Sequence, residues 1–162
     1  GIRDVERSRG LGDVYKRQSL DIPLIAIDTL EALSAQVNQI VNDPEALYCP
    51  MLDARRMEVY HSILNNSGEV IVPTKPLIFE GEELSEYIDV KLYYFGDGAA
   101  KGQEFMSKLP KSVFVDDIKT SARGLGKLSY EKFLKEDFED VAYFEPFYLK
   151  EVRITVPKKK HV

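Results

Sequence analysis

The segment Tyr48-Cys49-Pro50-Met51-Leu52-Asp53-Ala54-Arg55-Arg56-Met57-Glu58-Val59-Tyr60 constrains this chain more than any other. An apolar run ends at Asp53, the chain turns on charged residues, and a second run restarts at Glu58. This pattern reads as a strand over Tyr48–Asp53, a tight turn, and a hairpin partner over Glu58–Leu64, closed by an Asn65-Asn66-Ser67-Gly68 turn.

Other elements follow around that hairpin. Pro23–Ile27 has a short buried-strand pattern. Asp28 is placed to cap a helix, with Glu31 at the reciprocal position, and Leu30, Leu33, Val37, Ile40 and Val41 recur at helical spacing. Asn42-Asp43-Pro44 ends that helix, because the residue before a proline avoids the helical region. Downstream, short strands are expected at Glu69–Val72, Leu77–Phe79, Lys91–Phe95 and Val113–Val115. Helices are expected at Glu82–Ile88, Ala99–Leu109 and Ser121–Phe138, the last with a break at Ser129; Glu145–Val156 reads as extended. Strand pairs mixed with strand–helix units give an α/β domain with a mixed sheet.

Charge narrows the classes of function. The net charge is −5. Residues 1–18 carry +2, from Arg3, Arg7, Arg9, Lys16 and Arg17 against Asp4, Glu6 and Asp13, so residues 19–162 carry −7. An acidic body argues against direct binding of a nucleic-acid backbone, which needs a basic footprint. Cys49 is the only cysteine, so no disulfide forms within one chain, which fits a reducing cytoplasm; it reads as a small buried residue. No apolar run is long enough for a membrane span and no apolar leader is visible.

The first 18 residues form a separate case. Asp13-Val14-Tyr15-Lys16-Arg17-Gln18 back-translates to GATGTGTATAAGAGACAG, which resembles a transposon mosaic end used in sequencing adapters. Residues 1–18 therefore read as adapter-derived and disordered, the alternative being a genuine disordered basic arm.

The chemistry-bearing constellations are few. His61 falls in a predicted strand and His161 in a charged tail; no ligand-spaced His/Cys cluster exists, so no metal site and no catalytic residue is expected. Acidic groups at Glu80, Glu82, Glu83, Glu86 and Asp89, and at Glu136–Asp140, read as solvated faces. Cradling a phosphate in the hairpin turn would need inward backbone N–H groups, usually from glycines, and this turn has none. Asp53 is expected to brace the turn and Arg55 to pair with a carboxylate, with Arg55 and Arg56 as the alternative partner-facing pair. Gly96-Asp97-Gly98 joins a strand to a helix and permits close backbone approach, but Asp97 would repel a phosphate.

The hairpin string, preceded by Leu20-Asp21-Ile22-Pro23-Leu24-Ile25 and followed by Glu145-Pro146-Phe147-Tyr148-Leu149-Lys150, resembles the trailing portion of the TsaB (YeaZ) family over roughly residues 19–156. Lys150 stands where the family carries arginine, and Met57 where many members carry glycine. The resemblance implies an actin-like ATPase (ASKHA) lobe truncated at its N-terminus. Residues 19–44 would be the remnant of a leading lobe and connecting helix, 45–156 the second lobe, and 157–162 a basic tail. It implies a non-catalytic scaffold, without cofactor, in the complex that makes threonylcarbamoyladenosine beside the tRNA anticodon. The implied partners are TsaD-like and TsaE-like proteins and, at full length, a second copy; tRNA would be reached only through the complex, with no membrane contact. In related ATPases the loop matching Gly96, Asp97 and Gly98 contacts a nucleoside, which leaves a nucleotide-binding enzyme as one alternative. A glycoprotease-type peptidase is the other.

Overall fold

The computed structural model of the chain describes residues 22–79, 84–147 and 149. Helix α1 (Thr29–Val41) begins where expected: the Asp28 carboxylate accepts the backbone N–H of Leu30 at 2.7 Å. It ends at Asn42 in the left-handed conformation. Strands β1 (Leu47–Asp53), β2 (Glu58–Leu64), β3 (Val70–Ile78), β4 (Leu92–Phe95) and β5 (Ser112–Val115) form one mixed sheet in the order β3-β2-β1-β4-β5. β1 pairs antiparallel with β2 and parallel with β4, and β4 pairs parallel with β5. A short helix, α2 (Gln103–Met106), follows a 3-10 turn at Ala99–Gly102, and α3 (Leu125–Leu134) follows another at Ala122–Gly124.

Side-chain alternation along the central strands divides the core in two. Cys49, Met51, Val59, Ile63, Leu92 and Tyr94 pack on one face against Ala99, Met106 and Leu109. Tyr48, Tyr93 and Phe95 pack on the other against Leu30, Leu33 and Val37 of α1. Helical layers thus cover both sides of β1 and β4, as parallel neighbours require. The β1–β2 ladder has a gap at Cys49 and Pro50, between the pair at Tyr48 and those from Met51 to Asp53, and Pro50 has no N–H to donate there.

Several expectations need correction. Pro23–Ile27 is not a strand; Leu24 makes a single antiparallel bridge to Glu139, whose N–H donates to the Leu24 carbonyl at 2.8 Å. The two strands expected on either side of Pro73 and Pro76 are one strand, β3. It lies at the sheet edge, where prolines need not complete a ladder on both sides. The expected helix at Glu82–Ile88 is a 3-10 turn at Ser85–Tyr87 within the described residues. Helix is confined to Ala99–Met106 of the expected Ala99–Leu109. α3 passes through Ser129 without a break, the hydroxyl donating to the Leu125 carbonyl of its own helix at 2.6 Å. Most of the extended segment expected after Glu145 lies outside the described residues.

Candidate functional site

β1 and β4 run parallel and side by side, so their carboxyl ends deliver the hairpin turn and the Gly96–Gly98 loop to the same edge of the sheet. In α/β sheets that edge is where ligands commonly bind. The residues singled out from sequence, Asp53, Arg55, Arg56, Gly96, Asp97 and Gly98, therefore meet in space.

Their contacts are mutual. The Asp53 N–H donates to the Asp97 carboxylate at 3.1 Å, which ties the end of β1 to the loop after β4. The Asp53 carboxylate accepts the Arg55 N–H at 2.7 Å, bracing the turn as expected. It also forms an ion pair with Lys101, so the cation on this carboxylate is Lys101. The Lys101 hydrogen bond, with that of the Arg55 N–H second, holds the Asp53 carboxyl below the usual carboxylate range. Arg55 and Arg56 both have left-handed backbone, with φ of 76° and 50°, an arrangement that non-glycine residues adopt at a cost.

The two glycines have packing reasons. Gly96 has φ +105°, and a Cβ there would lie 2.3 Å from the Met51 carbonyl oxygen. A Cβ on Gly98 would lie 2.7 Å from Val59 and 2.8 Å from the Leu52 carbonyl carbon. The Gly98 N–H donates to the Met51 carbonyl at 3.1 Å and the Ala99 N–H to the Gly96 carbonyl at 3.1 Å. These donors are directed into the protein's own backbone. Lys101 was missed in the sequence: it lies 48 positions from Asp53, and no local pattern links the two.

The remaining candidates are structural. Cys49 is fully buried, which pushes its thiol up to about 12 and leaves it unreactive. His61 is buried in β2, and its Nδ1 lies 3.2 Å from the Lys75 carbonyl. Burial foremost, and the Lys75 charge second, lower its pKa to about 4. Its Nε2 has no hydrogen-bond partner among the described residues. Among the described residues, no three His, Cys, Asp or Glu side chains come together as a metal-binding group. No helix among them is long and apolar enough to cross a membrane.

At the opposite end of the sheet, Asp43 accepts from Lys91 at 2.7 Å and from the Tyr93 hydroxyl at 3.2 Å. The Tyr48 hydroxyl donates to Asn66 at 3.1 Å. Beside this network a groove of about 520 Å³ runs between α1, α3 and the Asn65–Gly68 turn, with Glu31, Asn38, Asn66 and Lys127 in its walls.

No protein-family model matches the chain. No curated protein matches it either. Solved structures do match. One is an uncharacterized Pseudomonas aeruginosa protein described as similar to peptidase YEAZ, with a TM-score of 0.64 and 17% identity over 85% of this chain and 63% of that one. Another is YeaZ from Pseudomonas aeruginosa, with a TM-score of 0.63 and 18% identity over 85% of this chain and 65% of that one. The chain has the YeaZ fold. It spans less than two thirds of the length of either YeaZ structure. At this identity the likeness to YeaZ speaks for the arrangement of the sheet and its flanking helices.

Proposed function

We propose that this chain is the trailing, actin-like lobe of a TsaB-type protein and acts as a non-catalytic scaffold. In this reading it supports a TsaD-like subunit in forming threonylcarbamoyladenosine at the adenosine beside the tRNA anticodon. The YeaZ fold and the quoted hairpin and Glu-Pro-Phe-Tyr-Leu-Lys strings support the assignment. The observation that carries the non-catalytic part is the closed edge of the sheet. The Gly98 N–H is bonded to Met51, the spaces beside Gly96 and Gly98 are filled by β1 and β2, and Asp53 is held by Lys101. A nucleotide phosphate needs inward, unbonded N–H groups there. An acidic body further favours reaching tRNA through a partner.

The test compares this chain with a form extended at its N-terminus to the full YeaZ length, each titrated calorimetrically with a TsaD-like protein of the same source. The extended form is expected to bind and this chain not to, since the leading lobe carries the family's partner helices. Absence of binding by both would remove the scaffold reading. Saturable ATP binding by this chain below about 1 mM, abolished by Gly98→Ala without loss of fold, would replace it with a nucleotide-binding one.

A further inference from the structure

We propose that the groove between α1, α3 and the Asn65–Gly68 turn is a binding site for a small organic polyamine, a linear aliphatic chain carrying two or more ammonium groups. The inference stands independently of the scaffold reading, since the groove lies away from the edge formed by Asp53 and Gly96–Gly98.

The groove measures about 520 Å³, inside the range of small-molecule sites, about 300–1,000 Å³. Glu31, Ser34 and Asn38 stand at i, i+3 and i+7 of α1, on one face of that helix, and all three line the groove. Lys127 and Glu131 line it from α3, and Asn66 from the turn.

Along α1 the groups left open accept hydrogen bonds or carry negative charge. Asn38 donates an N–H to the Asn66 carbonyl, which leaves its side-chain oxygen open. The Tyr48 hydroxyl holds the Asn66 amide oxygen in turn, so this wall is fixed before anything binds. Glu31 forms no ion pair among the described residues. Burial foremost, and the Asp28 charge second, hold its carboxyl above the ordinary carboxylate range, with Lys132 opposing. On α3, Lys127 pairs with Glu131 at 3.8 Å, so the walls set two carboxylates against one cation.

Ser34 gives an independent sign of a ligand. It is only 4% exposed, yet its hydroxyl makes no hydrogen bond within the described residues. A buried hydroxyl is ordinarily hydrogen-bonded, so its partner comes from whatever occupies the groove.

These features select the class of ligand. An anion would meet walls of net negative charge. A bare metal ion would find no group of three ligating side chains among the described residues. Ala35, Leu64 and Leu128 add apolar surface to the same groove, which a methylene chain covers while its charged ends reach polar groups. Glu31 and Ser34, one turn apart, take one ammonium. Asn38, about 10 Å further along the helix than Glu31, takes the next, a separation comparable with the length of spermidine.

Calorimetric titration of the full chain with spermidine at low ionic strength reads the site directly. Wild type is expected to bind one equivalent with a Kd of order 0.1 mM. Glu31→Gln is expected to weaken binding about tenfold and Ser34→Ala about threefold. Glu104→Gln, at an exposed position on α2 across the sheet from α1, is expected to leave it unchanged. Amide shifts in NMR spectra are expected to centre on Glu31 to Asn38 and on Asn66. Absence of saturation below about 5 mM overturns the inference. So does equal weakening by Glu31→Gln and Glu104→Gln, which would mean diffuse attraction of a polycation to an acidic protein. Should Glu31→Gln fail to fold, Ser34→Ala and the amide shifts decide, and shifts centred elsewhere overturn the site.

Discussion

Strand β1 and helix α3 are both rich in apolar residues and have opposite surroundings. In β1, Tyr48, Cys49 and Met51 are fully buried, because α1 covers one face of the sheet and the Ala99–Leu109 segment covers the other. In α3 no side chain is buried, and α1 is the helix it packs beside. Burial is a property of the layer an element occupies. Apolar residues in a central layer become core, and the same residues in an outer layer become surface available for contact.

Paired truncations test this contrast most sharply. Phe95→Ala removes a fully buried ring from the layer between sheet and α1 and is expected to cost roughly 4 kcal/mol of unfolding free energy in urea titrations. Phe133→Ala on α3, measured in dilute protein, is expected to stay within about 0.5 kcal/mol of wild type. Equal losses at the two sites would end the distinction between them.

A backbone change in the central layer comes next. Gly96→Ala forces a Cβ against the Met51 carbonyl at a φ of +105°, and is expected to destabilise by roughly 3 kcal/mol. A urea midpoint equal to that of wild type would mean that the loop after β4 moves freely from β1.

His61 brings pH into the comparison. Its folded value, about 4, lies below its ordinary value of 6.5. Above pH 6.5 it is neutral in both states and contributes no pH dependence. As pH falls from 6.5 towards 4, the unfolded chain takes up a proton that the folded one refuses, so stability falls, by roughly 3 kcal/mol across the window. His61→Gln is expected to remove this component, seen as a flatter curve of urea midpoint against pH. A wild-type curve no steeper than that of the variant would show that the imidazole charges without opening the core.

The smallest expected effect lies at the exposed edge. Lys101→Ala breaks the pair with Asp53, but Asp53 is 46% exposed and solvent screens the interaction, so the loss is expected to stay under about 1 kcal/mol. The apparent pKa of Asp53, followed by NMR, should rise in this variant, since the Lys101 hydrogen bond is the main cause of its lowering. An unmoved pKa would assign the lowering to the Arg55 N–H instead.

Much of the fold was legible because local chemistry fixes it. The Asp28 cap, the end of α1 ahead of Pro44, and the β1–β2 hairpin all follow from short-range backbone needs. The failures share a cause. Pro73 and Pro76 read as strand breaks, yet they are tolerated because β3 has a neighbour on only one side, which no window of sequence reveals. Pro23–Ile27 reads as a strand from its composition, but a strand exists only where a partner offers its backbone, and Glu139 offers one bridge. The candidate site was half legible. Asp53, Gly96, Asp97 and Gly98 carry local turn signals, while Lys101 carries none.

The sequence by itself determined the hairpin and the capped helix. These depend on φ/ψ preferences and on side-chain period, which are written residue by residue. Only the tertiary structure decided that Gly96 and Gly98 make room for β1, that Lys101 holds Asp53 and that Tyr130 and Leu134 stay exposed. Each of these depends on what lies across space, and chain separation carries no information about that until the strands have paired.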